Sequence, residues 1–193
     1  MGYAFLTSVP SPDDISKEIE IVGPRISIAT EEEGRRWNEA FRAKWSGTPY
    51  PPTFVTADAI VIHRGKILLI RRGGMPGRGR LALPGGYVEH NERIQDAAIR
   101  ELIEEARPAN QRGPYSQKVL KDCITGWHVF DDPNRSGHGR VITTAYVFEL
   151  PDGDEVTVTA GDDAGATAWY AIDSLAPAEF FEDHHHIIKE MTF

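Results

Sequence analysis

Residues 86–105 read Gly86-Tyr-Val-Glu-His-Asn-Glu92-Arg-Ile-Gln-Asp-Ala-Ala-Ile-Arg100-Glu101-Leu102-Ile-Glu104-Glu105, in a chain of 193 residues. From about Arg93 to Ala106 the spacing predicts a helix. The carboxylates of Glu101, Glu104 and Glu105 fall on one face about 100° wide, because residues three and four apart are neighbours on a helix. The other side carries Ala98, Ile99, Leu102, Ile103 and Ala106. We expect this helix to pack on a sheet by its apolar side and to present the three carboxylates opposite.

The carboxylate face has two interpretations. Like charges at this spacing repel one another, so a cation is expected beside them. Mg²⁺ is usually held by a few carboxylates with waters and substrate phosphates, and the preceding Gly85-Gly86 turn lets a phosphate approach the backbone closely. The alternative is a solvated acidic face in which Arg100 pairs with Asp96 or Glu104. An isolated Glu-x-x-Glu-Glu pattern favours this alternative. The residues that precede the pattern are therefore needed to choose between the two interpretations.

The wider spacing, Gly86-x5-Glu92-x7-Arg100-Glu101-Leu102-x-Glu104-Glu105, resembles the Nudix box over nearly its whole length. The resemblance implies the α+β class, with an α/β/α sandwich around a mixed sheet. It implies Mg²⁺ as cofactor, with Mn²⁺ as an alternative, and as metal ligands the Gly85 carbonyl and the carboxylates of Glu101, Glu104 and Glu105. It also implies that Glu92 and Arg100 complete the catalytic set by bracing the loop against the helix.

The end of the box departs from the family pattern. Where the family usually has Gly and an apolar residue, this chain has Arg107-Pro108. Gly permits a left-handed helix cap, whereas Pro108 disfavours helical geometry at residue 107 and can end the helix by another route. We expect a changed exit from the helix, with the ligand positions intact.

A narrower resemblance covers the chain from about Thr48 onward. It is to the Nudix half of bifunctional nicotinamide-mononucleotide adenylyltransferase/ADP-ribose pyrophosphatases, in the segments Tyr50–Asp58, His128–Ser136, Gly139–Thr143 and Gly161–Ala164. This resemblance implies a small-molecule nucleoside diphosphate substrate, with ADP-ribose cleaved by water to AMP and ribose 5-phosphate. Residues 1–47 contain no His-x-Gly-His motif for nucleotidyl transfer, so the adenylyltransferase activity is not predicted.

Several residues near the box are candidates for substrate contacts. Arginines in the Gly-rich loop 71–80 either grip phosphates by forked hydrogen bonds or remain solvated, and Arg71 is our candidate among them. Asp162 and Asp163 form either a remote base or extra ligand, or simply a turn. The full set of predicted substrate-binding residues is Arg71, Gly86, Arg135, Arg140 and Asp162.

Residues 1–50 differ in pattern from residues 51–193, so we expect an N-terminal extension ahead of the catalytic domain. Isoleucines at 19, 21, 26 and 28 flank Gly23-Pro24 and suggest two short strands around a turn. Thr30 to Glu33 has the form of a capping box, and the aromatic stripe Trp37, Phe41 and Trp45 indicates an amphipathic helix. The stripe favours core or dimer packing over a ligand platform, and it leads us to expect a homodimer.

The remaining pattern predicts strands and one closing helix. Phe54 to His63 and Lys66 to Ile70 indicate a hairpin around Arg64-Gly65, followed by a short strand at Leu81–Leu83. Further strands are expected at 117–130, 140–150, 155–159 and 167–170, and a helix at 178–191. The tract His184-His185-His186 is interpreted as surface helix or partner contact, because a helix turns consecutive residues apart. Tyr87 and Trp127 either stack on a base or are core residues, and their position in strands favours the core.

Composition limits the other functions. The formal net charge of −8 argues against a nucleic-acid partner, because phosphate affinity needs clustered Lys and Arg. Apolar runs such as Ile67–Ile70 are too short for a membrane span. A single cysteine, Cys123, and a start unlike a secretory signal favour the cytoplasm.

Two alternatives to an ADP-ribose hydrolase remain at this point. One is a non-catalytic ligand sensor on the same fold; the complete set of acidic ligands and the short sequence after Tyr170, too short for a winged helix, argue against it. The other is a hydrolase of an oxidised nucleotide, a dinucleotide or a sugar nucleotide, since a fold does not determine its substrate.

Overall fold

The computed structural model of the protein describes residues 26–161 and 164–192. Its helices are α1 (Glu31–Ala43), α2 (Ile94–Ala106), α3 (Gln117–Asp122) and α4 (His184–Thr192), with short 3-10 turns at Ile172–Ser174 and Pro177–Glu179. Its strands are β1 (Thr53–His63), β2 (Lys66–Arg72), β3 (Leu81–Ala82), β4 (Gly85–Tyr87), β5 (Ala109–Asn110), β6 (Gly113–Pro114), β7 (Ile124–Phe130), β8 (Arg140–Glu149) and β9 (Ala164–Ala171). None of the helices in these ranges combines the length and the apolar character needed to cross a membrane.

The central element is a mixed sheet, which the described residues build from seven strands. Its order is β3-β2-β1-β8-β7, with β4 also pairing to β1 and β9 to β2. Strands β1 and β8 run parallel from Thr53↔Arg140 to Ile62↔Glu149, and the other pairs are antiparallel. The β1–β2 hairpin turns at Arg64 and Gly65, both at positive φ (49° and 70°), as a mirror-type turn requires. The predicted mixed sheet and hairpin are confirmed.

Helices cover both faces of the sheet. In β1, Ala57, Ala59 and Val61 pack with the apolar side of α2, while Ile60 packs with the side that holds Ile187 of α4. This split follows from the two-residue period of a strand, which sends alternate side chains to opposite faces. The result is the three-layer α/β/α sandwich that the box implied.

Helix α1 begins as predicted. The Thr30 hydroxyl accepts from the Glu33 N–H, and the Glu33 carboxylate accepts from the Thr30 N–H, forming the capping box. The two strands proposed before it are not supported where they can be seen, because Ile26 and Ile28 lie in irregular backbone and Ile28 is exposed. Ile19 and Ile21 lie outside the described residues. The Ala29 N–H is instead bonded to the Arg78 carbonyl, which ties the start of α1 to the Gly-rich loop.

Two predicted strands are wrong. Residues 117–122 form α3, because the Ser116 hydroxyl caps the Val119 N–H and Leu120 inserts into the core. Only the second half of that stretch continues as β7. Residues 155–159 do not form a strand. Thr157 makes only an isolated β-bridge to Ala109.

The closing helix is shorter than predicted. Pro177 begins a 3-10 turn, and Glu182 adopts a positive φ of 45°, which a continuous right-handed helix does not allow. Helix α4 therefore starts at His184.

The end of α2 keeps the left-handed cap despite the missing glycine. Arg107 adopts φ 43° and ψ 55°, and its N–H donates to the Ile103 carbonyl. The prediction that the helix ends without a left-handed cap is therefore wrong. Pro108 still follows a residue outside the right-handed helical region, as the steric effect of proline requires.

Candidate active site

A cavity of about 580 Å³ opens between α1, the carboxyl end of β2, β4, α2 and the segment before α4. Its volume is in the range of small-molecule sites. The charged and aromatic side chains that line it fall into three groups. Acidic residues are Asp58, Glu89, Glu101, Glu105 and Glu182; arginines are Arg72, Arg100 and Arg135; aromatic rings and histidines are Trp37, Phe41, Tyr87, His138, Phe181 and His184.

Strand β4 has glycine at residues 85 and 86, so its backbone lies directly against the carboxylates of Asp58 and Glu101. A Cβ atom on Gly85 would lie under 3.0 Å from Asp58 Oδ1 and from the Ala57 carbonyl oxygen. A Cβ atom on Gly86 would lie under 3.0 Å from Glu101 Oε1. Residue 85 therefore has no room for a side chain, whereas a side chain at residue 86 would have to displace the Glu101 carboxylate. The pair Gly85-Gly86 makes a cradle in which carboxylate oxygens reach the floor of the cavity.

Glu105 lies beneath this cradle. Its Oε2 accepts a hydrogen bond of 2.9 Å from the Gly85 N–H, and the residue is 9% exposed. Burial raises the pKa of Glu105 to about 8, and the neighbouring carboxylates of Glu101 and Asp58 act in the same direction. A cation bound beside this carboxylate would stabilise its charged form.

The expected three-carboxylate face opposite the packed side needs correction, because Glu105 is buried. It follows Ala98 by seven residues, which places the two about 20° apart around a helix of 3.6 residues per turn. Ala98 packs in the core, so Glu105 also points toward the sheet. Glu104 lies on the exposed flank, with a side chain 57% exposed that does not line the cavity.

Arg100 connects the loop after β4 to α2. Its Nε and one terminal nitrogen donate to both oxygens of Glu92 at 3.0 and 2.6 Å. Its other terminal nitrogen donates to Glu101 at 2.7 Å and to Glu104 at 3.1 Å. The Arg100 hydrogen bonds lower the pKa of Glu92, while burial raises the pKa of Glu101 against the pull of Arg100. These contacts hold the Glu101 carboxylate in place, as the proposed brace requires.

The donor set fits a hard divalent cation. Glu101 and Glu105 line the cavity with oxygen donors, and the pKa of each is raised because burial disfavours its charge. Within residues 26–161 and 164–192, no three Asp, Glu, His or Cys side chains already form a metal-binding cluster. Mg²⁺ commonly uses one or two carboxylates and takes its remaining ligands from water and substrate phosphate. Two carboxylates, those of Glu101 and Glu105, are enough for such an arrangement.

Of the arginines at 71, 72, 78 and 80, Arg72 lines the cavity. Its Nε donates to the Pro76 carbonyl at 2.7 Å, its guanidinium lies 4.4 Å from the centre of the Phe181 ring, and burial lowers its pKa. Arg71 does not line the cavity and donates to the Gly79 carbonyl. Neighbouring strand residues point to opposite faces, so only one of the pair can face the site. Arg78 and Arg80 bind Glu33 and the Ala178 carbonyl.

Arg135 and Arg140 are placed differently. Arg135 lines the cavity, but its guanidinium forms a forked pair with both oxygens of Asp183 at 2.9 Å, and its side chain is 5% exposed. Arg140 donates to the Asp131 carbonyl and does not line the cavity. Asp162 and Asp163 lie outside the described residues.

The segment before α4 supplies groups that the sequence did not single out. The Glu182 carboxylate accepts from the Ser136 hydroxyl and the Gly137 N–H, each at 2.9 Å. Burial alone would raise the pKa of Glu182, but hydrogen bonds from His138, Gly137 and Ser136 bring it below its ordinary value. Glu182 thus clamps the 131–139 loop against the cavity. The clue in the sequence was an acidic pair, Glu182-Asp183, between two apolar rings and the His tract.

The expectation of a surface role for the three histidines is wrong for His184. It is buried, lines the cavity and accepts the Leu83 N–H at Nδ1 (3.1 Å), while burial lowers its pKa. His185 lies against the Phe180 ring and His186 beside Glu190. Because helix geometry separates them, the three do not form one site.

Tyr87 and Trp127 are not core residues. They are 46% and 64% exposed, because β4 is a three-residue strand at the cavity and β7 is at the edge of the sheet. Tyr87 lines the cavity, and its hydroxyl lies 3.3 Å from His138 Nε2.

Comparison with known proteins agrees with this architecture. The family model of the NUDIX domain matches residues 52–191. An ADP-ribose pyrophosphatase of Methanocaldococcus jannaschii is 33% identical over 136 residues, which cover 70% of this chain and 71% of that protein. An ADPR-responsive transcriptional repressor, NtrR, of Acinetobacter baylyi is 24% identical and covers 79% of this chain and 58% of its own length.

Among solved structures, a bifunctional NMN adenylyltransferase/ADP ribose pyrophosphatase from Francisella tularensis, complexed with AMP and a Mn ion, superimposes with a TM-score of 0.75. It is 32% identical, and the match covers 82% of this chain but 46% of that one. This chain therefore corresponds to less than half of that protein. From the matched domain, the fold and the box together, the chain belongs to the NUDIX domain family of hydrolases.

The cradle predicts a specific effect for Gly86→Ala. The added Cβ would displace the Glu101 carboxylate, which is the end of a flexible side chain, so the fold should survive while hydrolysis falls on the order of 10²-fold through mispositioning. Gly153→Ala is the matched control, because a Cβ there meets nothing within 4 Å. Steady-state rates and circular dichroism of both variants provide the test. Equal activity of the two variants would contradict the cradle.

The buried Glu105 predicts a pH effect on metal-free protein. Its pKa of about 8 in the fold exceeds the ordinary 4.5, so its contribution to stability is complete below about pH 4.5 and is lost as the pH rises to about 8. Glu105→Gln lacks this loss of about 1.4 kcal/mol per pH unit. Urea unfolding in EDTA should therefore find the variant more stable than wild type at pH 8 and close to it at pH 5. A stability difference that does not change with pH would contradict the burial of an unpaired carboxyl.

Proposed function

We propose that this chain hydrolyses the pyrophosphate bond of a nucleoside diphosphate derivative, with ADP-ribose as the leading substrate and Mg²⁺, or alternatively Mn²⁺, as cofactor. The observation that carries the proposal is the cavity in which Glu101 and Glu105 meet the Gly85-Gly86 backbone within reach of a buried arginine. Carboxylate oxygens suit a divalent cation, and a guanidinium suits a phosphate.

In the proposed reaction, a water oxygen forms a bond to one phosphorus while the bridging P–O bond breaks, giving AMP and ribose 5-phosphate. The cation, when bound by Glu101, Glu105 and the Gly85 carbonyl, would neutralise charge on the leaving phosphate. Glu104 remains a predicted ligand on the flank of the same helix. Arg100 and Glu92 hold the Glu101 carboxylate in position.

Arg72 is the residue we assign to phosphate binding on this side of the cavity. Within the described residues its guanidinium makes one hydrogen bond, from Nε to the Pro76 carbonyl, and burial lowers its pKa despite the attraction of the Glu105, Glu182 and Asp58 carboxylates. A diphosphate would supply anionic oxygens that accept hydrogen bonds from the terminal nitrogens. We also propose that the backbone of Gly86 contacts the substrate. The substrate contacts predicted from sequence for Arg71, Arg135, Arg140 and Asp162 stay predictions.

Relatives support the substrate. The Methanocaldococcus protein is called an ADP-ribose pyrophosphatase, and the Francisella structure contains AMP, the nucleotide product expected here, with a Mn ion. The NtrR relative supports the rival function, a sensor that responds to ADP-ribose without cleaving it. The acidic residues of the box and the Arg100–Glu92 pair favour catalysis.

The free thiol of Cys123 fits a reducing compartment, so we propose a cytoplasmic location.

The substrate prediction is a ranking. With Mg²⁺, kcat/KM should be higher for ADP-ribose than for 8-oxo-dGTP or NAD, with AMP and ribose 5-phosphate as products. Glu105→Gln should reduce kcat on the order of 10²-fold or more, about 3 kcal/mol of transition-state stabilisation. The control is Glu155→Gln, an exposed carboxylate far from the box in sequence, which should keep wild-type turnover.

Three outcomes separate the alternatives. Preference for another substrate would reject ADP-ribose and keep the hydrolase. Tight binding of ADP-ribose without turnover at any metal concentration would favour the sensor. Wild-type turnover in Glu105→Gln at low Mg²⁺ would remove Glu105 from the site.

We also propose a homodimer. Strand β7 is at the edge of the sheet and leaves Trp127 and Val129 exposed on one face, at 64% and 39%. An exposed apolar strand edge is a common site of self-association. Light scattering at micromolar concentration should give twice the chain mass, and Trp127→Lys should shift it toward the monomer. A wild-type monomer at that concentration would contradict the proposal.

A further inference from the structure

His184, the first residue of α4, is a buried histidine in the cavity to which the proposed reaction gives no role. Its Nδ1 accepts the Leu83 N–H at 3.1 Å, and its ring centre lies 5.7 Å from that of Phe181. An imidazole nitrogen that accepts a backbone N–H carries no proton of its own. The contact with Leu83 therefore places the proton of a neutral His184 on Nε2.

The environment keeps His184 neutral. Burial lowers its pKa, and this effect exceeds the attraction that the carboxylates of Asp58 and Asp183 exert on a proton. The guanidinium groups of Arg72 and Arg135 repel a proton and act with burial. The start of a helix adds to this, because the positive end of the helix dipole disfavours a second positive charge. At neutral pH, His184 is therefore a hydrogen-bond donor without a charge.

The Nε2–H of His184 has no acceptor within residues 26–161 and 164–192, where the Leu83 bond to Nδ1 is the hydrogen bond that this side chain makes. In the same ranges, the buried side-chain polar atoms that lack a hydrogen bond belong to Asn38, His63 and Arg78. Nε2 of His184 is not one of these buried atoms, so it keeps contact with the cavity that its ring lines. A ligand in the cavity could accept its proton.

Phe181 brings this donor close to the buried arginine. The Arg72 guanidinium lies 4.4 Å from the centre of the Phe181 ring, and the His184 ring lies against the same ring. Both side chains line one cavity, and the charge of Arg72 is near enough to lower the pKa of His184. An anion paired with Arg72 would therefore be within reach of the Nε2–H.

We infer that His184 is a further substrate-binding residue, whose Nε2–H donates to a phosphate oxygen of the anion that Arg72 holds. The inference rests on the proposed function for the identity of that anion, a diphosphate. Phosphate oxygens are strong acceptors, and a neutral donor adds a hydrogen bond to them without burying another cation beside Arg72. Because Leu83 fixes the ring before the ligand binds, little side-chain freedom is lost on binding.

The first test measures the binding of inorganic pyrophosphate with Mg²⁺ by calorimetry, which requires neither a base nor turnover. His184→Asn keeps an acceptor for the Leu83 N–H but is too short to place an N–H where Nε2 lies. The dissociation constant should therefore rise about tenfold, as expected for one lost hydrogen bond to a charged group. His184→Gln reaches that position with its amide and should recover most of the affinity. The matched control is His186→Asn, whose side chain in the same tract is 67% exposed and which should bind like wild type.

Nitrogen NMR of the wild-type protein is a second measurement, and a purely structural role of His184 would not produce its result. The protonated ring nitrogen of His184 should be Nε2, and its resonance should shift when pyrophosphate and Mg²⁺ are added. Ribose, which has hydroxyl groups and no phosphate, should leave it unchanged. If His184→Asn does not fold, this measurement decides.

Each outcome supports or rejects the inference. Wild-type pyrophosphate affinity in folded His184→Asn, or an Nε2 resonance that pyrophosphate does not move, would overturn it. Equal losses in His184→Asn and His184→Gln, or an equal loss in His186→Asn, would show a disturbance of α4 and would also reject it. Pyrophosphate binding that depends on His184, in a wild type that hydrolyses no nucleoside diphosphate derivative, would keep the inference and reject the proposed function.

Discussion

The hydrogen bond from the Gly85 N–H to the buried carboxylate of Glu105 joins the sheet to the box helix, and the geometry of the cavity depends on it. It forms only because β4 has no side chain at residues 85 and 86, which lets carboxylates from β1 and α2 reach the backbone. Burying acidic groups in this way is unfavourable unless a cation or hydrogen bonds compensate. The protein supplies one N–H and the nearby guanidinium of Arg72, and we propose that a divalent cation completes the compensation.

The surrounding structure serves to hold this contact. The parallel pair β1–β8 fixes the strand that carries Asp58, whose carboxylate accepts a buried hydrogen bond from the Thr143 hydroxyl. Arg100 fixes the Glu101 carboxylate from the other side, and Glu182 clamps the loop that closes the cavity. Each of these groups comes from a different element, so the site exists only when the three layers are assembled.

Local and periodic features were predictable from sequence. The capping box of α1, the β1–β2 hairpin and the box helix follow from short-range rules that hold whatever the rest of the chain does. The choice between Arg71 and Arg72 did not follow, because β2 is apolar on both faces and its pattern gives no clue to which neighbour faces the cavity. Glu105 was predicted to be exposed because it lies within the helix face, about 100° wide, that carries the three carboxylates. It lies at one edge of that face, and a residue at an edge is buried or exposed according to the element that packs beside it. His138 and Glu182 meet across 44 residues of sequence, a distance that no periodic pattern reports.

Locating the bound metal would decide whether Glu101 and Glu105 are its ligands. Crystals grown with Mn²⁺ and AMP, measured at a wavelength where manganese scatters anomalously, would show the ion itself. We expect an anomalous peak within about 2.5 Å of carboxylate oxygens of Glu101 and Glu105, beside the Gly85 carbonyl, as a hard cation with oxygen ligands requires. A Mn²⁺ peak elsewhere, with Glu105 still bonded only to the Gly85 N–H, would contradict this expectation.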